Sequence, residues 1–161
     1  MSAQTHFREV TRENLYDVLA LKVTPAQKRF VASVAKSIAE AHYYPSAWFR
    51  AVYVEETPVG FVLLNDDRQM EGEERGDGMY LWRFLVDHRF QGNGYGRQTL
   101  KMVIAHCRAL GAPTLTLSCV PEPGSAEPFY ERFGFVRTGE MDDDEVVMRL
   151  VLDEKSEGVL L

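Results

Sequence analysis

Three glycines, Gly92, Gly94 and Gly96, lie between a run of strand-forming residues and an amphipathic helical pattern. A strand, a glycine-rich turn and a helix direct several backbone N–H groups and a helix N-terminus at one point, which makes an anion site. The missing side chains let a phosphate group approach the main chain, and Arg97 adds a full positive charge. The pattern predicts a site for a phosphorylated ligand, although a glycine-rich hairpin or helix cap would give a similar stretch.

The residues around the glycines decide between the known uses of such a turn. A nucleotide-binding P-loop has Lys-Ser or Lys-Thr after its last glycine, whereas Arg97-Gln98 follows Gly96 here. A dinucleotide fingerprint places its third glycine one residue later and an acidic residue about 20 positions further on, which the following strand lacks. Coenzyme A, whose diphosphate such a turn can also hold, is the remaining interpretation.

The turn has to be positioned by a mixed fold of short strands and helices. Alternating and β-branched runs predict seven strands, at residues 6–10, 47–54, 59–65, 80–86, 114–120, 135–140 and 145–152. Periodic apolar residues predict four helices, at residues 12–22 with Thr11 as N-cap, at 25–42, from the glycine turn to Leu110 with Gly111 as its stop, and at 125–133. The polar residues 66–78 are predicted to form a mobile loop.

Length and charge limit the class of protein. The chain of 161 residues, 45% of them hydrophobic, fits a single soluble domain at residues 1–152 and a short tail at 153–161. Its 24 acidic against 18 basic residues give a net charge of −6, which argues against a nucleic-acid partner. Acidic residues concentrate at residues 71–77 and 142–145, where they are either solvated or attract a cationic substrate.

Cysteines, histidines and hydropathy predict a metal-free protein of the cytoplasm. Cys107 and Cys119 have neither metal-ligand spacing nor the pattern of a disulfide-rich secreted domain, which favours a reducing compartment. The four histidines are scattered without the spacing of a zinc site. No apolar run approaches the roughly 20 residues that span a bilayer, so no membrane partner is expected.

Two motifs make the chain resemble the GNAT superfamily of N-acetyltransferases. The run from Val86 to Gly96 is similar to that superfamily's acyl-CoA-binding motif, with Gln91, Gly94 and Gly96 at the motif positions. Residues 126–135 are similar to its second signature, Ala-x-x-x-Tyr-x-x-x-Gly-Phe. Shorter stretches resemble the bacterial diamine (spermine/spermidine) acetyltransferase branch, at residues 30–32, 37–41, 58–62, 82–84 and 147–150.

The resemblance implies a fold, a cosubstrate and roles for individual residues. The fold would be α/β (α+β), a mixed, mainly antiparallel twisted sheet flanked by helices in a single domain, and acetyl-CoA would be the cosubstrate. The strand ending Phe84-Leu85-Val86 would bind the pantetheine arm through its backbone and polarise the acetyl carbonyl with a main-chain N–H. Tyr130 would contact the cosubstrate and protonate its departing sulfur. The diphosphate would be held by Gln91, Gly92, Asn93, Gly94, Tyr95, Gly96 and Arg97.

Neither motif fixes the proton acceptor or the acceptor pocket. Glu40 and Glu122 flank the acceptor side in the superfamily and are the candidate catalytic bases, with a water chain as a third option. A buried guanidinium must be paired, so Arg83 is predicted to bond a carboxylate or carbonyl at the edge of the acceptor site. Four aromatic residues could form a wall that holds an alkylammonium by cation–π contacts: Trp82, Tyr43, Tyr44 and Trp48. Core packing is favoured for at least two of them.

These roles predict direct transfer of acetyl from acetyl-CoA to a primary amine, best a small diamine or polyamine. The alternatives are another amine, such as an antibiotic, an amino acid or a protein N-terminus, and a non-catalytic acyl-CoA-binding module. An acetylated Cys119 in a ping-pong reaction is a further alternative.

Two features of the resemblance concern cosubstrate geometry and assembly. Many superfamily members have Asn seven residues before the tyrosine, where it bonds the pantetheine arm. This chain has Pro123 there, which offers only a carbonyl. Superfamily members commonly dimerise through their late strands, so a homodimer is an open prediction.

Overall fold

The computed structural model describes residues 3–152, which form a single seven-stranded sheet. Its strands are β1 (Thr5–Arg8), β2 (Ala47–Val54), β3 (Thr57–Asp66), β4 (Met79–Val86), β5 (Thr114–Cys119), β6 (Val136–Asp142) and β7 (Glu145–Val151). They lie in the order β1-β2-β3-β4-β5-β7-β6, and only the β4–β5 pair is parallel. The predicted mixed, mainly antiparallel sheet is therefore confirmed.

Helices cover both faces of the sheet. One apolar cluster packs the sheet against the third and fourth helices, around Leu100 and Tyr130. The other packs it against the first two helices, around Val18 and Val34. The helices are α1 (Leu15–Leu19), α2 (Val34–His42), α3 (Tyr95–Ala109) and α4 (Glu127–Glu131). Short 3-10 turns are found at Pro25–Gln27, Asp67–Gln69, Gly72–Glu74 and His88–Phe90.

The first helix is shorter than predicted, and Thr11 is not its cap. The Thr11 N–H donates to Asn14 Oδ1 over 2.7 Å, and Asn14 Nδ2 donates to the Glu9 carbonyl over 3.1 Å. A side chain that bonds nearby backbone in this way offers the chain an alternative to helix. Residues 11–14 therefore form a turn, and α1 begins only at Leu15.

The predicted long helix at residues 25–42 is also divided. Pro25–Gln27 is a 3-10 turn, in which Gln27 Oε1 accepts from the Thr24 N–H over 3.2 Å. The Ser33 hydroxyl accepts from the Lys36 N–H over 3.2 Å and caps the start of α2 at Val34. The apolar period ran across this break because Phe30 and Val34 are four residues apart on either side of the cap. Residues 28–33 therefore form a segment that connects the 3-10 turn to α2.

The parallel pair β4 and β5 holds together for only two residue pairs, at Met79 and Tyr80. Beyond Tyr80 the strands separate, because β4 follows β3 as far as Val86 while β5 follows β7 as far as Cys119. Within residues 3–152, the edge of β4 that faces β5 therefore has backbone N–H and C=O groups without a strand partner beyond Tyr80.

A bulge in β4 lies beside this gap. Leu81 and Arg83 pair with consecutive residues of β3, so Trp82 between them is the extra residue. A bulge bends its strand and redirects neighbouring side chains. The extra residue places Phe84 and Leu85 on the faces of the sheet opposite to those that an unbroken register would give them.

The remaining predictions concern a loop and the ends of the chain. Residues 66–78, predicted as a loop, contain two 3-10 turns. The Asp67 N–H donates to the Gly78 carbonyl over 3.1 Å and joins the two ends of this segment. The proposed tail at residues 153–161 lies outside the described residues. Across residues 3–152, no helix combines the length and the apolarity needed to cross a membrane.

Candidate active site

The gap between β4 and β5 opens into a cleft of about 920 Å³. Both strands line it, together with residues 28–32, the glycine turn, α4 and the turn between β6 and β7. All the residues predicted to hold the cosubstrate line this cleft, except Asn93. Neither Glu40 nor Glu122, the predicted bases, is among its lining residues.

The glycine turn presents free backbone donors to the cleft. Gly92 and Gly94 both have φ of 83°, a left-handed conformation that side chains rarely adopt, and a Cβ at either position would project into open space. Gly94 is the N-cap of α3, and the first backbone bond of this helix runs from Gln98 N–H to the Gly94 carbonyl. The N–H groups of residues 95–97 have no partner within the helix, and Arg97 is exposed beside them. This arrangement fits a diphosphate group.

Side chains on both sides of the turn fix its position. Gln91 Nε2 donates to the Val86 carbonyl and to Gln27 Oε1, both over 3.0 Å, which ties the turn to the end of β4 and to the 3-10 turn before α2. Asn93 Nδ2 donates to the Phe90 carbonyl over 3.0 Å. Asn93 therefore shapes the turn from outside the cleft.

Asp87, a residue that sequence reasoning missed, anchors the start of the same turn. Its fully buried carboxylate accepts from the Lys22 N–H and from the Arg89 N–H, each over 3.0 Å, and from Arg89 Nε over 2.8 Å. Burial acts to raise the pKa of Asp87, but these hydrogen bonds outweigh it and lower the pKa. The residue is charged at neutral pH and joins three chain segments. Its only sequence signal is an acid directly after a strand.

Tyr130 faces the cleft from α4. The residue is 7% exposed and packs edge-on against Phe84 and Phe135. No residue in the described part of the chain bonds its hydroxyl. Burial raises the pKa of Tyr130, and a charge on Cys119 would raise it further, so the hydroxyl keeps its proton at neutral pH. A protonated, unbonded hydroxyl is available to donate into the cleft.

Arg83 has the carboxylate partner that its position required. Its Nη2 lies 2.7 Å from Glu40 Oε1, and its Nη1 donates to the Trp82 carbonyl over 3.0 Å. The side chains are 15% and 33% exposed, so the pair is partly shielded from water. The predicted carboxylate partner of Arg83 is confirmed, and Glu40 joins α2 to the wall of the cleft through it.

Glu122 is engaged in a different ion pair. Its Oε2 lies 3.0 Å from Arg29 Nη1, and both side chains are largely exposed. The next residue, Pro123, begins a turn with Gly124, whose φ is 87°, and the Ser125 N–H closes it on the Glu122 carbonyl over 3.1 Å. Proline at this position fixes the loop that follows β5, where the resemblance predicts an asparagine side chain.

The aromatic side chains are only partly gathered at the cleft. Trp82 lines it and contacts Tyr44 edge-on at 4.9 Å between ring centres. Trp48 instead stacks on His106 at 4.1 Å, and Tyr43 is 80% exposed to solvent. The cation–π wall is thus reduced to Trp82 with Tyr44 behind it.

The family of the chain follows from a comparison with known proteins. Residues 14–135 match the acetyltransferase (GNAT) family. The chain belongs to this family. The predicted superfamily, enzyme class and cosubstrate are confirmed: the protein is an acetyl-CoA-dependent N-acetyltransferase.

Individual relatives agree with this assignment. A spermine/spermidine N(1)-acetyltransferase of Bacillus subtilis (strain 168) is 30% identical over 141 residues, covering 85% of this chain and 91% of that protein. An acetyltransferase from Thermus thermophilus has a TM-score of 0.73 at 19% identity and covers 94% of this acetyltransferase and 100% of its own chain. The PaiA N-acetyltransferase of Thermoplasma acidophilum, solved with coenzyme A, has a TM-score of 0.66 at 13% identity, with coverage of 92% and 99%. The two structural likenesses show the shared fold.

Two acidic residues on the lining of the acetyltransferase cleft were not predicted as site residues. Asp142 and Glu145, at the turn between β6 and β7, are the carboxylates that line it among residues 3–152. The sequence marked this turn as acidic, which is a signal shared with any solvated hairpin. The pairing of β7 with β5, which no local pattern reveals, brings this turn to the cleft.

Proposed function

We propose that this acetyltransferase moves the acetyl group of acetyl-CoA to a primary amine of a small diamine or polyamine by direct attack. The observation that carries the proposal is one cleft that contains the open glycine turn together with two groups that have no partner among residues 3–152, the β4 edge beyond Tyr80 and the Tyr130 hydroxyl. The substrate class is supported by 30% identity to a spermine/spermidine acetyltransferase and by the acidic residues Asp142 and Glu145 on the same lining.

The donor side of the reaction is assigned to backbone groups. The N–H groups of residues 95–97, with the charge of Arg97, bind the diphosphate, and Gln91 keeps the turn in place. The free edge of β4 at Phe84, Leu85 and Val86 bonds the pantetheine arm. A β4 N–H directed at the gap donates to the thioester carbonyl and stabilises the charge that develops on its oxygen.

The acid of the reaction is assigned to Tyr130. Its hydroxyl gives its proton to the sulfur as the C–S bond breaks, so that coenzyme A leaves as the neutral thiol. Burial, which raises the pKa of Tyr130, keeps this proton in place until the thiolate forms. The catalytic role predicted for Glu40 and Glu122 as bases requires the ion pairs with Arg83 and Arg29 to open first.

The test is release of thiol from acetyl-CoA by the purified protein over a panel of amines. The panel contains putrescine, spermidine, spermine, lysine, an aminoglycoside and a peptide with a free N-terminus. We expect the highest kcat/KM for a diamine or polyamine. Turnover on another amine with none on the polyamines would reject the substrate class, and tight acetyl-CoA binding without any turnover would support the non-catalytic module. A cytoplasmic location stays a prediction from the cysteine content, and a homodimer stays a prediction from the resemblance.

A further inference from the structure

The carboxylate that serves as base must reach the substrate and must not be neutralised by an arginine. Glu40 and Glu122 lie outside the cleft lining and are held by Arg83 and Arg29. Glu145 differs in both respects. It lines the cleft, and it has neither an ion pair nor a side-chain hydrogen bond with any residue in the range 3–152.

Strand register places Glu145 at the open end of the cleft. Val146 pairs with Cys119, the last residue of β5, and its side chain is buried in the core. Because side chains alternate along a strand, Glu145 points to the opposite face of the sheet. On that face, the hydroxyl of Ser118 on β5 is hydrogen-bonded to the hydroxyl of Tyr80 on β4, near the point where the two strands separate. Glu145 is therefore beside the gap through which the acceptor amine has to approach the thioester.

We propose that Glu145 accepts the proton that the acceptor ammonium group must lose before it can attack. The proposal rests on the proposed function of this cleft. A Glu145 carboxylate oxygen takes one proton from the ammonium nitrogen, whose lone pair then forms the new C–N bond. The C–S bond breaks, and the sulfur takes the Tyr130 proton. The second proton of the nitrogen restores the Tyr130 phenolate, and Glu145 releases its proton to water.

The electrostatic environment suits this role. Burial raises the pKa of Glu145, and the charges of Asp142, Asp144 and Asp143 on the same turn raise it further, while Arg83 on β4 lowers it. Tyr80, also on β4, is an uncharged phenol at neutral pH, and burial raises its pKa further. A carboxylate whose pKa lies closer to neutrality is a better proton acceptor near pH 7. The two carboxylates on the cleft lining, Asp142 and Glu145, attract a cationic substrate.

The experiment compares Glu145→Gln with Asp143→Asn over a range of pH. Glutamine keeps the shape of the side chain but cannot take a proton. Asparagine tolerates the left-handed backbone at position 143, where φ is 53°, and removes one charge from the same turn outside the cleft lining. The measurements are kcat and KM for the best polyamine from pH 6 to 10, and acetyl-CoA affinity by calorimetry.

For Glu145→Gln we expect kcat/KM at pH 7 to fall by about 100-fold, with recovery toward pH 10 as free amine replaces ammonium. Acetyl-CoA affinity should be unchanged. The variant should also unfold no more easily at pH 7, because a carboxylate whose pKa is raised by folding destabilises the folded state above that pKa. Asp143→Asn should lose less than about threefold, since an exposed charge contributes little.

Several outcomes would overturn the assignment. A Glu145→Gln variant with the wild-type pH profile would contradict it, as would a rise in KM alone, which marks substrate binding. If the acidic limb of the pH–rate profile shifts in Glu40→Gln or Glu122→Gln but not in Glu145→Gln, the residue whose replacement shifts it is the base instead. A wild-type protein that turns over no amine would contradict the proposed function itself, so the two failures are distinguishable.

Discussion

The two ends of the cleft are built in different ways. The glycine turn is one contiguous segment, residues 91–97, and the role proposed for it rests on backbone N–H groups whose positions depend on φ at Gly92 and Gly94. The end proposed to bind the acceptor is assembled from α2, β4, β5 and the turn between β6 and β7, and the roles proposed there rest on side chains. The donor end should therefore be sensitive to backbone conformation, and the acceptor end to charge.

Changing Gly94 to Val tests the backbone side of this comparison and should have the largest effect. Valine resists φ of 83°, and its side chain would occupy the open space that faces the cleft. Loss of two charge-assisted hydrogen bonds corresponds to at least about a 100-fold loss of acetyl-CoA affinity, measured by calorimetry. Gly72→Val is the matched control, since Gly72 also has positive φ and open space but lies away from the cleft. Normal acetyl-CoA binding by Gly94→Val would place the anion site elsewhere.

Changing Tyr130 to Phe separates chemistry from binding. Removal of the hydroxyl should lower kcat at neutral pH by about 100-fold, since general acids contribute factors of this order, and should leave acetyl-CoA affinity nearly intact. Tyr53→Phe, which removes a buried tyrosine hydroxyl on β2 outside the cleft, is the control. Equal loss of kcat and acetyl-CoA affinity would instead indicate that Tyr130 only packs against its aromatic neighbours.

Changing Arg83 to Met tests the charge side of the comparison. It leaves Glu40 without its partner, and we expect the free energy of unfolding to fall by about 1–2 kcal/mol and the KM for the amine to rise, with acetyl-CoA affinity retained. Arg50→Met is a close control. Arg50 also bonds the preceding carbonyl and lies over a tryptophan ring, but it pairs with an exposed glutamate outside the cleft. Similar amine kinetics in both variants would contradict a special role for Arg83.

Changing Cys119 to Ala should have the smallest effect on turnover. Burial raises the pKa of Cys119 to about 11, so the thiol is a weak nucleophile at neutral pH. We expect kcat within about threefold of wild type and a loss of about 1 kcal/mol of stability from the small cavity. Cys107→Ala, at a cysteine whose pKa burial raises to about 12, is the control. A much larger loss of kcat in Cys119→Ala alone would revive the acetyl-enzyme route.

The same contrast explains what the sequence could predict. The glycine turn was recognisable because its neighbours along the chain are also its neighbours in space. The hairpin of β2 and β3 and the strand before the turn were predicted for the same reason. The break before α2 was missed because one hydroxyl cap at Ser33 outweighs an unbroken apolar period.

Long-range contacts account for the rest of what was missed. An acid opposite Arg83 was expected, but the partner lies 43 residues away, and no local pattern selects Glu40 from the other glutamates. Asp87 bonds the N–H of Lys22, which lies 65 residues earlier, and Glu145 is placed by the pairing of β7 with β5. Their positions depend on which strands pair, and local patterns do not determine strand pairing.

The most direct test of the donor site follows backbone amide resonances while coenzyme A is added to the protein. If the amides of residues 91–97 bind the diphosphate, their NMR signals will show the largest shifts, and the signals of Asp142 and Glu145 will change less. Largest shifts on another face of the sheet, with residues 91–97 unaffected, would contradict the account.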